Sequence, residues 1–155
     1  MAADKPSRPS VVVDLHLVLM KSDQVLLGLR QGTGYCDGMY HLPAGHLEAG
    51  ETVMEGTIRE AREELGVGLR AADLRLDYVL HHRSNSDRMA LFFSASRWSG
   101  EPTNREPDKC EALAWFPLDR LPPNMVPYAA HALSGIRNGE RLGFYGWPPR
   151  ESAAG

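Results

Sequence analysis

The stretch GHLEAGETVMEGTIREAREELGV, from Gly45 to Val67, limits what this chain can be more than any other part of it. Gly45, Glu51, the pair Arg59-Glu60, the pair Glu63-Glu64 and Gly66 stand in it at fixed intervals. If Thr52 to Leu65 is helical, ~100° per residue brings Glu60, Glu63 and Glu64 within roughly a 100° arc of one face. Val53, Met54, Thr57, Ile58, Ala61 and Leu65 fall on a neighbouring arc. That apolar stripe gives the helix a surface to bury and so fixes where the acids point. Gly66 supplies the stop.

Carboxylates at i, i+3 and i+4 repel one another unless a cation sits among them. Oxygen donors without His or Cys select a hard divalent ion, Mg²⁺ or Mn²⁺. The competing reading is a solvated acidic face, on which Glu55, Arg59 and Glu63 form a ladder worth roughly a few tenths of a kcal/mol per pair.

The complete spacing weighs against the second reading. Gly, five residues, Glu, seven residues, Arg-Glu, an apolar residue, any residue, Glu-Glu, any residue, Gly and a final apolar residue is the signature of the Nudix hydrolases. This chain resembles that family at every fixed position, with Ala61 and Val67 in the apolar slots. At average residue usage, a chance match in a chain of this length is on the order of 10⁻⁷. The resemblance implies an α/β fold, the Nudix α/β/α sandwich with a mixed β-sheet. It also implies Glu60, Glu64 and Glu63 as metal ligands, with the carbonyl of Ala44 beside them; relatives more often have Gly where Ala44 stands. Gly45, Glu51, Arg59 and Gly66 are then structural, with Glu51 and Arg59 tying the loop to the helix through an ion pair.

The flanking segments extend the likeness. Val11 to Met20 alternates, with odd positions apolar and Asp14 and His16 on the other parity, and Val25 to Leu29 returns beside it as a second strand. A lone strand histidine such as His16 is expected half exposed. The glycine-rich loop RQGTGYCDG, Arg30 to Gly38, lets backbone approach a ligand closely. In the MutT-type pyrophosphohydrolases an arginine ending the second strand precedes the signature proline by the interval separating Arg30 from Pro43, and it contacts nucleotide. Tyr35 and Tyr40 are open between stacking on a base and packing under the loop. Gly56, on the acidic side of the helix, makes room for a closely packed strand or for a bound phosphate.

Leu74 to Leu80 and Met89 to Trp98 read as strands joined by the polar turn His81 to Asp87. The following Arg97-Trp98-Ser99-Gly100-Glu101-Pro102 looks like a MutT stretch after which a glutamate supplies a further carboxylate. Glu106 stands at that interval, and Glu111 is its reserve. A strand from Ala112 to Phe116 and a helix from about Val126 to Arg137 follow. The turn before that helix resembles one in which an asparagine reads an oxidised guanine, and ungapped spacing puts Met125 there in place of Asn124. Residues 1–9 read as a flexible tail, 10–146 as one domain and 147–155 as a loose tail.

The net charge of −3 with mixed signs offers neither a basic stripe for nucleic-acid polymers nor a polybasic membrane patch. The apolar run Val11 to Met20 is too short to span a bilayer, and no leader pattern precedes it. Cys36 and Cys110 lack zinc-site spacing and read as free thiols of a reducing cytosol. Monomer and homodimer both fit.

A diphosphate repels an incoming nucleophile. Divalent ions held by protein acids screen that charge and lower the pKa of a bound water, and one carboxylate, Glu106 or a member of the helix trio, takes its proton. The resemblance therefore implies hydrolysis of a nucleoside diphosphate linked to another moiety, foremost a nucleoside triphosphate cut to monophosphate and pyrophosphate. Arg30 would hold the nucleotide, and Asn124 or Met125 would face the base. The alternatives are an ADP-ribose, nucleotide-sugar or dinucleoside polyphosphate pyrophosphatase, and a Nudix-like nucleotide-binding module without catalysis.

Overall fold

The computed structural model describes residues 3–149. Among these, strands β1 (Val12–Lys21), β2 (Gln24–Arg30), β3 (Tyr40–His41) and β4 (Ala44–His46) precede helix α1 (Val53–Leu65). Then come β5 (Arg75–Arg83), β6 (Asp87–Ala95), β7 (Cys110–Pro117), helix α2 (Pro127–Arg137) and β8 (Leu142–Tyr145). One sheet takes the order β3-β2-β1-β6-β5-β8, with β4 also on β1 and β7 also on β2. It is mixed: β1–β6 and β5–β8 run parallel, while β2, β4 and β7 pair antiparallel.

Strand β1 is central, and its alternation feeds two cores. Leu15, Leu17 and Leu19 pack with Leu26, Phe93 and the α1 residues Ala61 and Leu65. Val18 joins Leu27, Leu80, Phe92 and the α2 residues Ala129, Ala132 and Leu133. Each face of the sheet thus carries one helix, the expected α/β/α layering. The even-numbered face of β1 is covered by α2, so His16 is fully buried and not half exposed, and Asp14 is buried beside it.

Helix α1 begins where the sequence places it. The Thr52 side chain accepts the Glu55 amide at 3.2 Å while the Glu55 carboxylate accepts the Thr52 amide at 2.9 Å. This reciprocal capping box satisfies two amides that a helix start otherwise leaves unpaired. Glu55 closes that cap, and the expected rung from Glu55 to Arg59 is not among the ion pairs of the described residues. Gly66 ends the helix in the left-handed conformation at φ 69°, which costs a glycine little. A Cβ on Gly56 would meet Leu15 Cδ1 at 2.5 Å and Glu51 Oε1 at 2.8 Å, so this glycine lets α1 lie close on β1.

Three expectations are corrected. The β5–β6 pair zips as far as Arg83 opposite Asp87, leaving only Ser84 to Ser86 as the turn. His81 and His82 are therefore strand residues, and His82 is buried against Tyr128. Strand β6 ends at Ala95, short of Trp98. Trp147, expected in a loose tail, donates its indole N–H to the His81 carbonyl at 2.9 Å; positions 150–155 of that tail lie outside the described residues. The short strands β3, β4 and β8 had no counterpart in the sequence reading, because two to four residues carry no readable period.

Candidate active site

A cleft of about 860 Å³ opens between α1, β4, the end of β2 and the loop before β7. Glu60, Glu63 and Glu64 reach it from α1, Glu106 from the loop, Arg30 from β2, and Ala44 and Gly45 from β4. Elements distant in sequence thus bring together the acids the signature named and the one expected from outside it. Glu111 is exposed on β7 and does not line the cleft.

Arg59 organises the helix side. Its guanidinium grips Glu51 through two hydrogen bonds of 2.9 and 2.7 Å and donates to Glu60 at 2.8 Å and Glu63 at 3.1 Å. It also reaches the His46 carbonyl at 3.1 Å, which pins the end of β4 to α1. The bidentate bond from Arg59 holds the Glu51 carboxyl down at about 2.

Glu64 is the opposite case. Burial, followed by the charges of Glu60 and Glu106, pushes its carboxyl well above the ordinary glutamate value, against a smaller pull from the Ala44 backbone. One of its oxygens, Oε2, is buried with no hydrogen-bond partner. Burial also raises Glu60, although Arg59 works against it. These acids repel each other in a partly desolvated place, and a cation is what such a group lacks.

The donor set is oxygen only and therefore suits a hard divalent ion. A Cβ at Gly45 would occupy the space of the Glu60 carboxylate, so this glycine keeps that group's place open. No three His, Cys, Asp or Glu side chains among the described residues stand close enough to enclose an ion, and Arg59 bridges Glu60 and Glu63. The acids are gathered but not closed around a point. The orphaned Glu64 oxygen and the room at Gly45 weigh more heavily, and the residues fit the metal.

Arg30 is oriented by the loop after it, donating to the Tyr35 carbonyl at 2.8 Å and the Thr33 hydroxyl at 3.0 Å, with its guanidinium 5.4 Å from the Tyr35 ring centre. Tyr35 is exposed, whereas Tyr40 packs edge-on against Phe116. Asn124 and Met125 do not line the cleft. Met125 is buried in the α2-side core, and Asn124 spends its amide on the Gly38 carbonyl at 3.0 Å, tying down the glycine-rich loop.

Behind β4 lies a second cavity of about 360 Å³. Its wall includes Asp14, His16, His41, His82, Arg88 and Tyr128, none of them among the expected site residues. The signal was present in part: Asp14 and His16 are polar interruptions of an apolar strand, and His82 joins them only once β5 and β6 are paired.

A family model, the NUDIX domain, matches residues 9–135, and the chain belongs to that family. The NAD-capped RNA hydrolase NudC of Pseudomonas aeruginosa is 35% identical over 116 residues, which are 74% of this chain and 38% of that protein. The human 8-oxo-dGDP phosphatase NUDT18 is 33% identical over 121 residues, 77% of this chain and 35% of that protein. The chain thus spans little more than a third of these relatives' length. Among solved structures, a MutT NUDIX hydrolase from Burkholderia pseudomallei superposes with a TM-score of 0.74 at 31% identity, covering 81% of this chain and 97% of that one. A NUDIX hydrolase from Nitrosomonas europaea shares the fold with a TM-score of 0.72 at 23% identity, over 86% and 93% of the two chains. These likenesses place the chain among the Nudix hydrolases. No helix among the described residues is long and apolar enough to cross a membrane.

Proposed function

We propose that the chain hydrolyses the diphosphate linkage of a nucleotide, foremost of a nucleoside triphosphate to monophosphate and pyrophosphate. The observation that carries this reading is the buried, partnerless Glu64 oxygen in a cleft that also receives Glu60 and Glu106. Glu60, Glu64, Glu63 and Glu106, with the Ala44 carbonyl, are the groups that would hold Mg²⁺, Mn²⁺ being the alternative. Bound there, the ion would screen the diphosphate charge and supply an acidified water.

The chain's own residues do the rest. Arg59 and Glu51 fix the start of α1 against β4, so the carboxylates do not drift apart. Glu106, which comes from a loop and is not engaged by Arg59, or whichever member of the helix trio does not hold the ion, accepts the proton as general base. Arg30 and Lys109 stand in the same cleft as cations that hold phosphate oxygens. Capping such a polyanion with protein cations aligns it for attack.

The relatives add a second reading. NudC is named for NAD-capped RNA and NUDT18 for 8-oxo-dGDP, so a nucleotide joined through a diphosphate to a larger group also suits this cleft. This reopens the nucleic-acid polymers that net charge argued against. A release assay with Mg²⁺ on nucleoside triphosphates, 8-oxo-dGDP, ADP-ribose, NAD and NAD-capped RNA decides between them. Pyrophosphate from a triphosphate supports the first reading, cleavage confined to NAD or its RNA conjugate supports the second, and no cleavage with nucleotide still bound leaves a binding module.

A further inference from the structure

The loop that carries Glu106 into the acidic cleft, residues 103–109, is tied down at both ends. At one end the backbone N–H groups of Thr103 and Arg105 donate to the carbonyls of Leu65 and Glu64, at 2.9 and 3.1 Å. A helix leaves its last carbonyls without partners of its own, so the loop completes the turn of α1 that holds Glu63 and Glu64. At the other end Gln31, next to Arg30, donates its backbone N–H to the Lys109 carbonyl at 2.9 Å and its side chain to the Pro107 carbonyl at 2.7 Å. We propose that Asn104 is the brace inside this bridge, a positioning residue that sets where the Glu106 carboxylate stands against Glu60 and Glu64. The inference rests on the reading of the cleft as the site of a divalent ion and a diphosphate.

The Asn104 amide is used at both of its atoms. Oδ1 accepts the backbone N–H of Glu106 at 3.2 Å, and Nδ2 donates to the Cys110 carbonyl at 2.6 Å. The Glu106 carbonyl in turn accepts the backbone N–H groups of Lys109 and Cys110, both at 2.9 Å. Both backbone polar groups of Glu106 are therefore spent, and its carboxylate moves only through the side-chain torsions. Asn104 and Glu106 are half-buried and line the same cleft. The Glu106 charge is close enough to act on Glu60 and Glu64, where burial is the larger cause of the rise and Glu106 adds to it.

Closing both bonds takes a side chain with a donor and an acceptor at its tip. Aspartate has the shape of asparagine, but it would set an acceptor against the Cys110 carbonyl and bring a further negative charge to a cleft already crowded with acids. Alanine would leave the Glu106 amide without its acceptor and cut the tie across the loop. Groups that orient a metal ligand without touching the ion matter by roughly 10- to 100-fold in affinity or activity. Asn104 holds Glu106 in that way: it fixes the backbone from which the carboxylate reaches, and α1 and β2 fix the bridge on either side.

The experiment is a double-variant cycle of Asn104→Ala and Glu106→Gln, with two readouts: turnover of the substrate found in the release assay, and calorimetric titration of the metal-free protein with Mn²⁺. Asn104→Ala should lower kcat or Mn²⁺ affinity by about 10- to 100-fold with KM little changed, and should lower neither further in the Glu106→Gln background. Any fall in melting temperature should be the same in both backgrounds, since a brace that served the fold alone would act whether or not the carboxylate is present. Coupling to Glu106 in either readout supports the proposal. Losses that multiply in the double variant, or an Asn104→Ala protein with wild-type kcat and Mn²⁺ affinity, would overturn it. Asn104 lies on a half-buried loop outside both cores, so the variant leaves the packing of the sheet and helices untouched. If no substrate in the release assay is cleaved, the hydrolase reading fails alone. The Mn²⁺ cycle then decides, with coupling supporting the positioning role and independence overturning it.

Discussion

Two cavities share strand β4 as a wall and treat charge in opposite ways. On the α1 side, Glu60 and Glu64 are pressed together with burial raising both, and among the described residues the cation bonded to Glu60 is Arg59. On the α2 side, Asp14 is held at about 2 although burial alone would raise it, because His82 and Arg88 stand beside it; burial keeps the imidazoles of His16 and His41 uncharged. The first cavity is electrostatically unfinished and calls for a divalent ion. The second is balanced in charge and unfinished only in hydrogen bonds.

The sharpest way to break this contrast is Glu64→Gln. Turnover should fall by about 10³-fold or more, the scale of losing a group that acts directly in the chemistry. A buried acid whose pKa is raised contributes stability below its unfolded value and loses it as pH rises. Keeping the Glu64 carboxyl in its buried, acid-crowded place therefore costs the metal-free protein stability near neutrality, and the metal-free variant should melt at or above the wild-type temperature. The Mg²⁺-induced rise in melting temperature should disappear. Retained turnover would remove Glu64 from the metal site.

Gly45→Ala should come next. The added methyl falls on the end of the Glu60 side chain, which is flexible and can swing aside at small cost to the fold. Displacing a positioned group by about 1 Å costs on the order of 10²-fold in rate. Activity should thus fall by about that factor while the melting temperature hardly moves. A stability loss without an activity loss would show that the glycine serves the β1–β4 pairing instead.

The α2-side cavity makes its own prediction through acid. The His16 imidazole is lowered from 6.5 to about 4 by burial. Above 6.5 neither folded nor unfolded chain binds that proton, and the stability is fully present. As pH falls from 6.5 to about 4 only the unfolded chain takes the proton, so about 3 kcal/mol is lost. His41, also lowered by burial, steepens the loss. Urea unfolding at a series of pH values in this window measures it, and His16→Phe should flatten the profile. A wild-type stability independent of pH there would mean that the histidines are not buried neutral.

How much of this was legible in the sequence follows from range. Helix α1 and its stop depend on residues within a few turns of each other, and the spacing carried them; the Glu51–Arg59 tie came with the family resemblance, and the Thr52–Glu55 cap went unread. The acidic cleft needed one further carboxylate, Glu106, which only a family resemblance placed. The imidazole-lined cavity draws on β1, β3, β4, β5, β6 and α2. Its histidines are scattered from His16 to His82, and no local pattern says that His82 turns inward while His81 turns out. Met125 was misleading for the same reason: its interval suited a base contact, but the bridge to Tyr40 directs it into the core.

The smallest effect lies at the far edge of the sheet and tests whether the two cavities are insulated from it. Trp147 donates to the His81 carbonyl at 2.9 Å, and its ring lies 4.6 Å from His81 and 5.7 Å from the Arg83 guanidinium. Trp147→Phe removes the N–H, keeps an aromatic face, and should cost about 1 kcal/mol, the net value of one hydrogen bond. His81 and His82 are neighbours on β5 with side chains on opposite faces, so a loosened β5–β8 edge could in principle be felt in the imidazole-lined cavity. The buried stacking of the His82 side chain on Tyr128 argues against that, since it anchors the ring to α2 while only the backbone of His82 pairs with β8, at Tyr145. Unfolding should therefore shift while kcat and KM stay within about twofold. A raised KM with unchanged kcat would instead show that the edge of the sheet is felt in the cleft.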